Sequence, residues 1–276
     1  MNRIKFTKMT GAGNDFAVFD GRNGQLPEDR VRFVQQVCRR RVGVGADGVL
    51  IVENNHRADF RMVYYNADGS EAEMCGNGGR CISRYAYLKR IAGPKISFET
   101  MAGLHRSEII GGNVKLGMVD PFNARLDFKI PVAGEQIVVS FTNTGVPHVV
   151  RFVDDVEPVE VVKIGREIRY HEAFQPAGTN ANFVQVLDQD RIKIRTYERG
   201  VEDETLACGT GTVAAAVLGG LHGDLSPPVE ALTRGGIPLK VHFDIEQGAV
   251  KNVFLEGDAV VVYEGELTAE AINSAS

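Results

Sequence analysis

Two stretches of this chain are the same device written twice: Cys75-Gly76-Asn77-Gly78-Gly79 and Cys208-Gly209-Thr210-Gly211-Thr212, the cysteines 133 positions apart in a chain of 276. Each is a cysteine, a glycine-spaced turn and then a run able to form a helix, residues 80–88 after the first and 213–218 after the second. A glutamate stands four residues before each cysteine, Glu71 and Glu204. Laid over each other on the cysteines without gaps, the halves match Tyr64 with Tyr197, Asn66 with Arg199 and Glu71 with Glu204. The identity is weak, but the order of elements is the same in both: strand, turn, Cys-Gly-x-Gly, helix. Two repeats are too few for a solenoid. They predict a pseudo-symmetric pair of lobes with a cleft between them, and a chain of this length has room for two such cores.

Residues 4–6 alternate as a first strand, followed by a turn-rich loop at 11–15 and a strand over 16–19. Pro27-Glu28-Asp29 opens a helix whose apolar face takes Val31, Val34, Val37 and Cys38, with Arg39, Arg40 and Arg41 near its end. Gly43-Val44-Gly45-Ala46-Asp47-Gly48 spells the dinucleotide fingerprint, yet it follows a helix and opens a strand, the reverse of what that site requires, and reads as a loop. Residues 60–65 form a strand leading into the turn Asn66-Ala67-Asp68-Gly69. Short strands fill 96–119, and Pro121 marks a lobe boundary. The second half predicts strands over 125–130, 136–141, 149–153, 183–187 and 191–197, and a helix over 159–170 that Gly165 weakens. Residues 231–264 read as three strands broken at Gly235-Gly236, Gly248 and Gly257. The lobes are taken as 1–121 plus 264–276, carrying Cys75, and 122–263, carrying Cys208.

Hydrophobic residues make up 43% of the chain and charged ones 24%, which is ordinary for a globular protein. A net charge of −5 argues against a nucleic-acid partner. No apolar run approaches a membrane span, and residues 1–6 lack the apolar core of a signal peptide. Four cysteines without an export signal point to a reducing compartment, and a cytoplasmic location is expected. Neither a C-x-x-C nor a histidine pair is present, so no metal site is expected.

A cysteine at a helix N-terminus faces unpaired backbone N–H groups and the positive end of the helix dipole. Both effects lower a thiol pKa from about 8.5 toward neutrality. The same N–H groups can hold a carboxylate or a developing enolate, and glycines let the backbone approach closely. One such site resembles a nucleophile. Two, one per lobe, suit inversion at carbon: a thiolate on one face removes a proton and a thiol on the other returns one. Racemisation or epimerisation of an α-amino acid without a cofactor is therefore expected, with the two thiols titrating as a pair.

Blander readings stand beside this one. A lone cysteine before a helix is usually packing, but packing alone does not ask for glycines on both copies. Cys38 and Cys81 read as core. His148, after Pro147, is either a turn histidine or a cleft residue. Arg199 beside Glu198 is by default a solvated ion pair.

The chain resembles the diaminopimelate epimerases, essentially from end to end. Lys8-Met9-Thr10-Gly11-Ala12-Gly13-Asn14-Asp15-Phe16 is similar to the family's N-terminal G-x-G-N-D-F motif. Residues 66–81, from Asn66-Ala67-Asp68-Gly69 through Cys75-Gly76-Asn77-Gly78-Gly79-Arg80-Cys81, resemble the first cysteine motif. Tyr197-Glu198-Arg199-Gly200 through Glu204-Thr205-Leu206-Ala207-Cys208-Gly209-Thr210-Gly211 resemble the second. The resemblance implies an α+β fold of two similar lobes, each a central helix wrapped by a mostly antiparallel sheet. It implies interconversion of LL- and meso-diaminopimelate, on the path to lysine and the cell wall, with no cofactor and no metal, and a possible homodimer. It assigns Cys75 and Cys208 as the acid/base pair, Cys75 being the base on the LL isomer. Asn14, Asn66, Asn180 and Arg199 match substrate-holding positions, the last three around the distal end. Glu198 is implied to bind the distal amine or to tune the cysteines, and His148 is a second candidate for tuning. Gly76, Asn77, Gly209 and Thr210 would supply N–H groups to the reacting carboxylate. A bidentate arginine for a carboxylate, and amide and carboxylate oxygens for an ammonium, suit that substrate.

This chain departs from the family at two places. It has Val146 where many members carry an asparagine that touches substrate, and Gly48 where some carry glutamine. Three rival functions remain. A proline or hydroxyproline racemase would share the fold but has no distal amino-acid head to bind. A thiol-dependent hydrolase or acyltransferase would use Cys75 with His148 as base. A non-catalytic binding protein would tolerate Cys→Ser at both sites.

Overall fold

A computed structural model describes residues 3–273. Residues 1–2 and 274–276, assigned above to the first lobe, lie outside the described residues. The chain divides into two compact units, Met1–Leu116 with Gly257–Ser276, and Gly117–Glu256. These bounds fall a few residues earlier than those drawn at Pro121 and Glu264. Hydrogen bonds explain both shifts. Met118 N donates to Val253 O and Val253 N to Asp120 Oδ1, which ties the segment before Pro121 to the second unit. Ala12 N donates to Asp258 Oδ1, and Arg84 donates to Ala259 O, which ties 258–259 to the first.

In the first unit the elements run β1 (Ile4–Gly11), β2 (Asn14–Asp20), α1 (Arg30–Cys38), β3 (Gly48–Glu53), β4 (Phe60–Asn66), β5 (Glu71–Ala72), α2 (Gly76–Leu88), β6 (Lys95–Thr100), β7 (Gly103–Ile110) and β8 (Asn113–Gly117). Strands β1 and β2 pair antiparallel, β2 and β3 parallel across α1, β3 and β4 antiparallel, β4 and β6 parallel across α2, and β6 to β8 as an antiparallel meander. In β3, Val49, Leu50, Ile51 and Val52 are all fully buried, because α1 and α2 both pack against that strand. Helix α1 starts at Arg30, where the Asp29 carboxylate accepts from Arg32 N at 3.0 Å. Phe33 completes its buried face with Val34, Val37 and Cys38, whereas Val31, expected on that face, is 49% exposed. The glycine loop after α1 closes it, with Gly45 N donating to Val37 O and Ala46 N to Cys38 O.

The second unit repeats this plan: β9 (Phe122–Val132), β10 (Glu135–Asn143), β11 (Pro147–Phe152), α3 (Val161–Tyr170), a 3-10 turn at Glu172–Phe174, β12 (Asn180–Asp188), β13 (Arg191–Glu198), β14 (Asp203–Thr205), α4 (Gly209–His222), β15 (Val229–Leu232), β16 (Pro238–Glu246) and β17 (Ala249–Asp258). Pairing follows the same sequence: β10 and β11 antiparallel, β11 and β12 parallel across α3, β12 and β13 antiparallel, β13 and β15 parallel across α4, then β15 to β17 antiparallel. Residues Gly211 through Gly219 of α4 are all buried, so its low amphipathicity reflects strands on every side. Gly165, which weakened the α3 reading, has a packing role. A Cβ there would come 2.4 Å from Tyr197 Cβ.

The C-terminal region holds four strands rather than three. The break falls at Ala259, and Gly257 lies inside β17. The fourth, β18 (Val260–Leu267), pairs antiparallel with β1, as β9 pairs with β10 in the other unit. Each unit thus has one outer strand at the matched position. In the second unit that strand comes first in sequence, and in the first unit it comes from the far end of the chain. A short helix α5 (Ala269–Asn273) follows, and the fold class is α+β.

Candidate active site

In the first unit, β4 delivers the chain to a tight turn in which Asn66 N donates to Ser70 O and Gly69 takes φ +88°. Strand β5 pairs back onto β4, and the chain arrives at Cys75, the N-cap of α2, with φ −135° and ψ 121°. Gly79 N donates to Cys75 O at 2.7 Å, and Gly78 N donates to Cys75 Sγ at 3.4 Å. The glycines have separate reasons. A Cβ at Gly79 would lie 2.8 Å from Met74 Cε and one at Gly78 3.1 Å from Leu50 Cδ2, while one at Gly76 would meet nothing within 4 Å. The backbone at Gly76 therefore borders open space at the helix tip.

Asn77 and Asn14 come together here. Arg80 is fully buried, and its Nη2 donates to Asn77 Oδ1 at 2.7 Å. Asn77 Nδ2 donates to Asn14 Oδ1 at 2.8 Å, and Asn14 Nδ2 to Asp47 Oδ2 at 3.1 Å. A guanidinium only donates, so it orients both amides. Among the described residues Arg80 Nη1 has no hydrogen-bond partner. Asn66 is held apart from this chain, accepting from the Tyr64 hydroxyl at 2.9 Å and donating to Ser70 Oγ at 3.1 Å. Tyr64 also accounts for Gly48, since a Cβ at that position would sit 2.7 Å from its ring.

The second unit builds the matching corner. Strand β14 pairs back onto β13 and leads to Cys208, the N-cap of α4, with φ −124° and ψ 111°. Thr212 N donates to Cys208 O at 2.9 Å. The Thr210 hydroxyl lies 3.5 Å from Cys208 Sγ and 2.9 Å from His148 Nε2. Asn180 Oδ1 accepts from Arg199 N at 2.8 Å, and its Nδ2 donates to Pro147 O at 3.0 Å. Arg199 Nη1 donates to Ala177 O at 2.8 Å, so the default ion pair with Glu198 is not the contact made.

The expectation that both thiols would be drawn toward neutrality is reversed. Burial pushes the Cys75 thiol up, with the N–H groups of Gly78 and Asn77 pulling the other way. Burial also pushes Cys208 up, to about 11. The Glu198 charge adds to the rise, while the Thr210 hydroxyl and the Thr210 and Gly211 N–H groups oppose it. Loss of water around a thiolate outweighs a few oriented N–H groups. Glu198 is itself raised by burial, against the Thr205 hydroxyl. His148 is fully buried and pulled down to about 3 by burial and then by the Arg199 charge, so it is a neutral imidazole. Cys38 and Cys81 are buried, each raised to about 12 chiefly by desolvation, as inert core thiols are.

Of the predicted residues, Asn14, Cys75, Gly76 and Asn77 form one connected corner, and His148, Cys208, Gly209 and Thr210 form another. Asn180, Glu198 and Arg199 stand beside the second, and Asn66 beside the first. Two residues of these corners escaped the sequence reading: Arg80, and Asn182, whose amide reaches His148 Nδ1 at 3.2 Å. The available signal for Asn182 was alternation, since Asn180 and Asn182 are i and i+2 on one face at the start of a strand that continues Phe183-Val184. Among the described residues no group of His, Cys, Asp and Glu could hold a metal ion, and no helix is long and apolar enough to cross a membrane.

Comparison with known proteins bears on this geometry. Residues 6–121 and 140–262 match the family described as Diaminopimelate epimerase. A diaminopimelate epimerase of Aquifex aeolicus is 46% identical, over 98% of this chain and 99% of its own length. One from Archaeoglobus fulgidus is 43% identical over 96% of each. Among solved structures, a phenazine biosynthesis protein of the PhzF family from Bacillus anthracis superposes with a TM-score of 0.70 at 16% identity. It covers 97% of this chain and 100% of its own, a likeness of fold.

Proposed function

Because the chain belongs to the diaminopimelate epimerase family, an isomerase family, we propose that it interconverts LL- and meso-diaminopimelate with Cys75 and Cys208 as its proton donor and acceptor. The observation that carries this reading is the pair of cysteines, each an N-cap, each followed by a glycine-bordered helix tip. On the LL isomer the Cys75 thiolate takes the α-proton, forming S–H. The electron pair moves into the carboxylate as an enolate, whose charge the N–H groups of Gly76, Asn77, Gly209 and Thr210 at the two helix tips would receive. The Cys208 thiol then gives its proton to the opposite face of the carbon and is left as thiolate, and the reverse reaction exchanges these roles. The high pKa of Cys208 fits a group that enters as the acid. Once deprotonated, a buried thiolate is a strong base, which an α-proton of an amino acid requires. Asn66, Asn180, Arg199 and Glu198 are the candidates for the distal amino-acid head. Lysine and cell-wall precursor synthesis, a cytoplasmic site of action and a homodimer belong to the same proposal, and no cofactor takes part.

The hydrolase reading is less supported, since both ring nitrogens of His148 are engaged within the second unit, with Thr210 and Asn182. The deciding experiment is incubation of the chain with LL-diaminopimelate in heavy water with no cofactor added. Deuterium should enter the α-position as meso product forms. No exchange, or equal exchange into L-proline, overturns the assignment.

A further inference from the structure

The two units are copies in element order, but their cysteines are not served alike. Leu50 of β3 pairs with Val18 and Tyr64, and Asn182 of β12 pairs with Val150 and Thr196, so the two residues hold matched places in the sheet. Each lies under the second glycine of its motif. A Cβ at Gly78 would meet Leu50, and one at Gly211 would come 2.3 Å from Asn182 Oδ1. One unit thus has an apolar side chain beneath its cysteine turn, and the other has an amide that is 1% exposed.

The orientation of that amide is fixed. Nδ2 donates to Val149 O at 2.8 Å, a carbonyl that can only accept, and Oδ1 accepts from the Thr196 hydroxyl at 2.9 Å. The same NH2 group faces His148 Nδ1 at 3.2 Å. It cannot accept a proton there, so Nδ1 must carry the lone pair and Nε2 the hydrogen. Nε2–H therefore donates to Thr210 Oγ1 at 2.9 Å, leaving the hydroxyl's own hydrogen for Cys208 Sγ at 3.5 Å. The direction is set as far as the Thr210 hydroxyl; between that hydroxyl and the sulfur either atom can donate, and the hydroxyl does so once the sulfur is a thiolate.

We propose that Asn182 is a positioning residue that sets the tautomer of His148 and thereby makes the Thr210 hydroxyl a donor to the Cys208 sulfur, favouring its thiolate. The inference rests on the two-cysteine reading above for its catalytic meaning. Glu198 and burial hold Cys208 protonated, and the relay from Val149 O through Asn182, His148 and Thr210 stabilises the thiolate left when that proton is given up. With leucine at position 182, as at position 50, nothing fixes the imidazole. The Nδ1–H tautomer then becomes available, in which Nε2 accepts from Thr210 and the hydroxyl oxygen favours the thiol. The burial that keeps His148 neutral keeps the relay directional across the working pH range.

The test needs no substrate, so its outcome is separable from the assignment of the reaction. In the full chain carrying Cys38→Ala, Cys75→Ala and Cys81→Ala, Cys208 is the one thiol left, and its thiolate is titrated by ultraviolet absorbance against the same chain with Cys208→Ala. Asn182→Leu should raise the midpoint by about one pH unit, a tenfold fall in thiolate fraction at a given pH. Thr210→Val should raise it similarly, and the double variant should add nothing further. An unchanged midpoint in Asn182→Leu, or additive rises in the double variant, overturns the proposal. Nitrogen NMR of the histidine ring reads the tautomer without any change at 182, so a variant that fails to fold does not protect the idea. Nε2–H at His148 is expected, and Nδ1–H overturns it.

Discussion

At the scale of single residues, two opposing effects act on each cysteine, and desolvation wins in both. The dipole argument points to both helix tips, but its pull is outweighed by burial that a sequence does not display. Cys75→Ala and Cys208→Ala are each expected to lower turnover of LL-diaminopimelate by at least about a thousandfold, as removal of an obligatory proton carrier does. Epimerisation within tenfold of the parent in either variant would sink the two-thiol mechanism. His148 allows a test without substrate. Its folded pKa, about 3, lies below the unfolded value, so the unfolded chain binds more protons between them. Its contribution to stability is complete above about pH 6.5 and is lost as the pH falls toward 3. Denaturant melts between pH 6 and pH 4 should lose about 1.4 kcal/mol per pH unit more than a His148→Gln variant does; parallel slopes would refute it.

At the scale of elements, glycine decides more than helix propensity. Gly165 sits inside α3, where alanine would favour the helix by about 1 kcal/mol. The alanine Cβ would however lie 2.4 Å from Tyr197 Cβ, and overpacking of that kind costs about 1–3 kcal/mol. Gly165→Ala should therefore lower the melting temperature; a rise would show that α3 and β13 can separate without loss. Helix α4 teaches the complementary lesson. Its uniform apolarity is legible as burial, but which strands cover it is not. The segment after α1 was legible as a loop because its position between helix and strand is a local fact.

At the scale of the whole chain, the two units share one topology but not one path. Strand β18 completes the first unit beside β1, while β9 completes the second beside β10. A chain ending at Glu256 should leave the β1 edge uncovered and lose cooperative unfolding of the first unit, read by hydrogen exchange at Phe6 and Thr7; unaltered protection there would show β18 to be dispensable. A second expectation is global. Cys208 is raised to about 11, and Cys38, Cys81 and Tyr85 to about 12, chiefly by burial. The folded chain then holds protons that the unfolded chain gives up, so stability should be full below about pH 8.5 and fall progressively toward pH 11–12. A flat stability profile from pH 8 to pH 10.5 would contradict that burial.

What the sequence by itself determined is the repeat and the order of elements within it. Cys-Gly-x-Gly before a helix is a local pattern, and two copies at matched spacing carry their own statistics, so Cys75 and Cys208 and the α+β order of elements could be read directly. The tertiary structure alone decided what depends on contacts between residues distant in sequence: the unit boundaries set by Val253 and Asp258, the pairing of β18 with β1, the pKa direction of both thiols, and the neutrality of His148. It also decided that Asn182 lies beneath Gly211 while Leu50 lies beneath Gly78. A sequence records which side chains are polar, but hydrogen-bond direction and desolvation belong to the space around each atom, and folding is what creates that space.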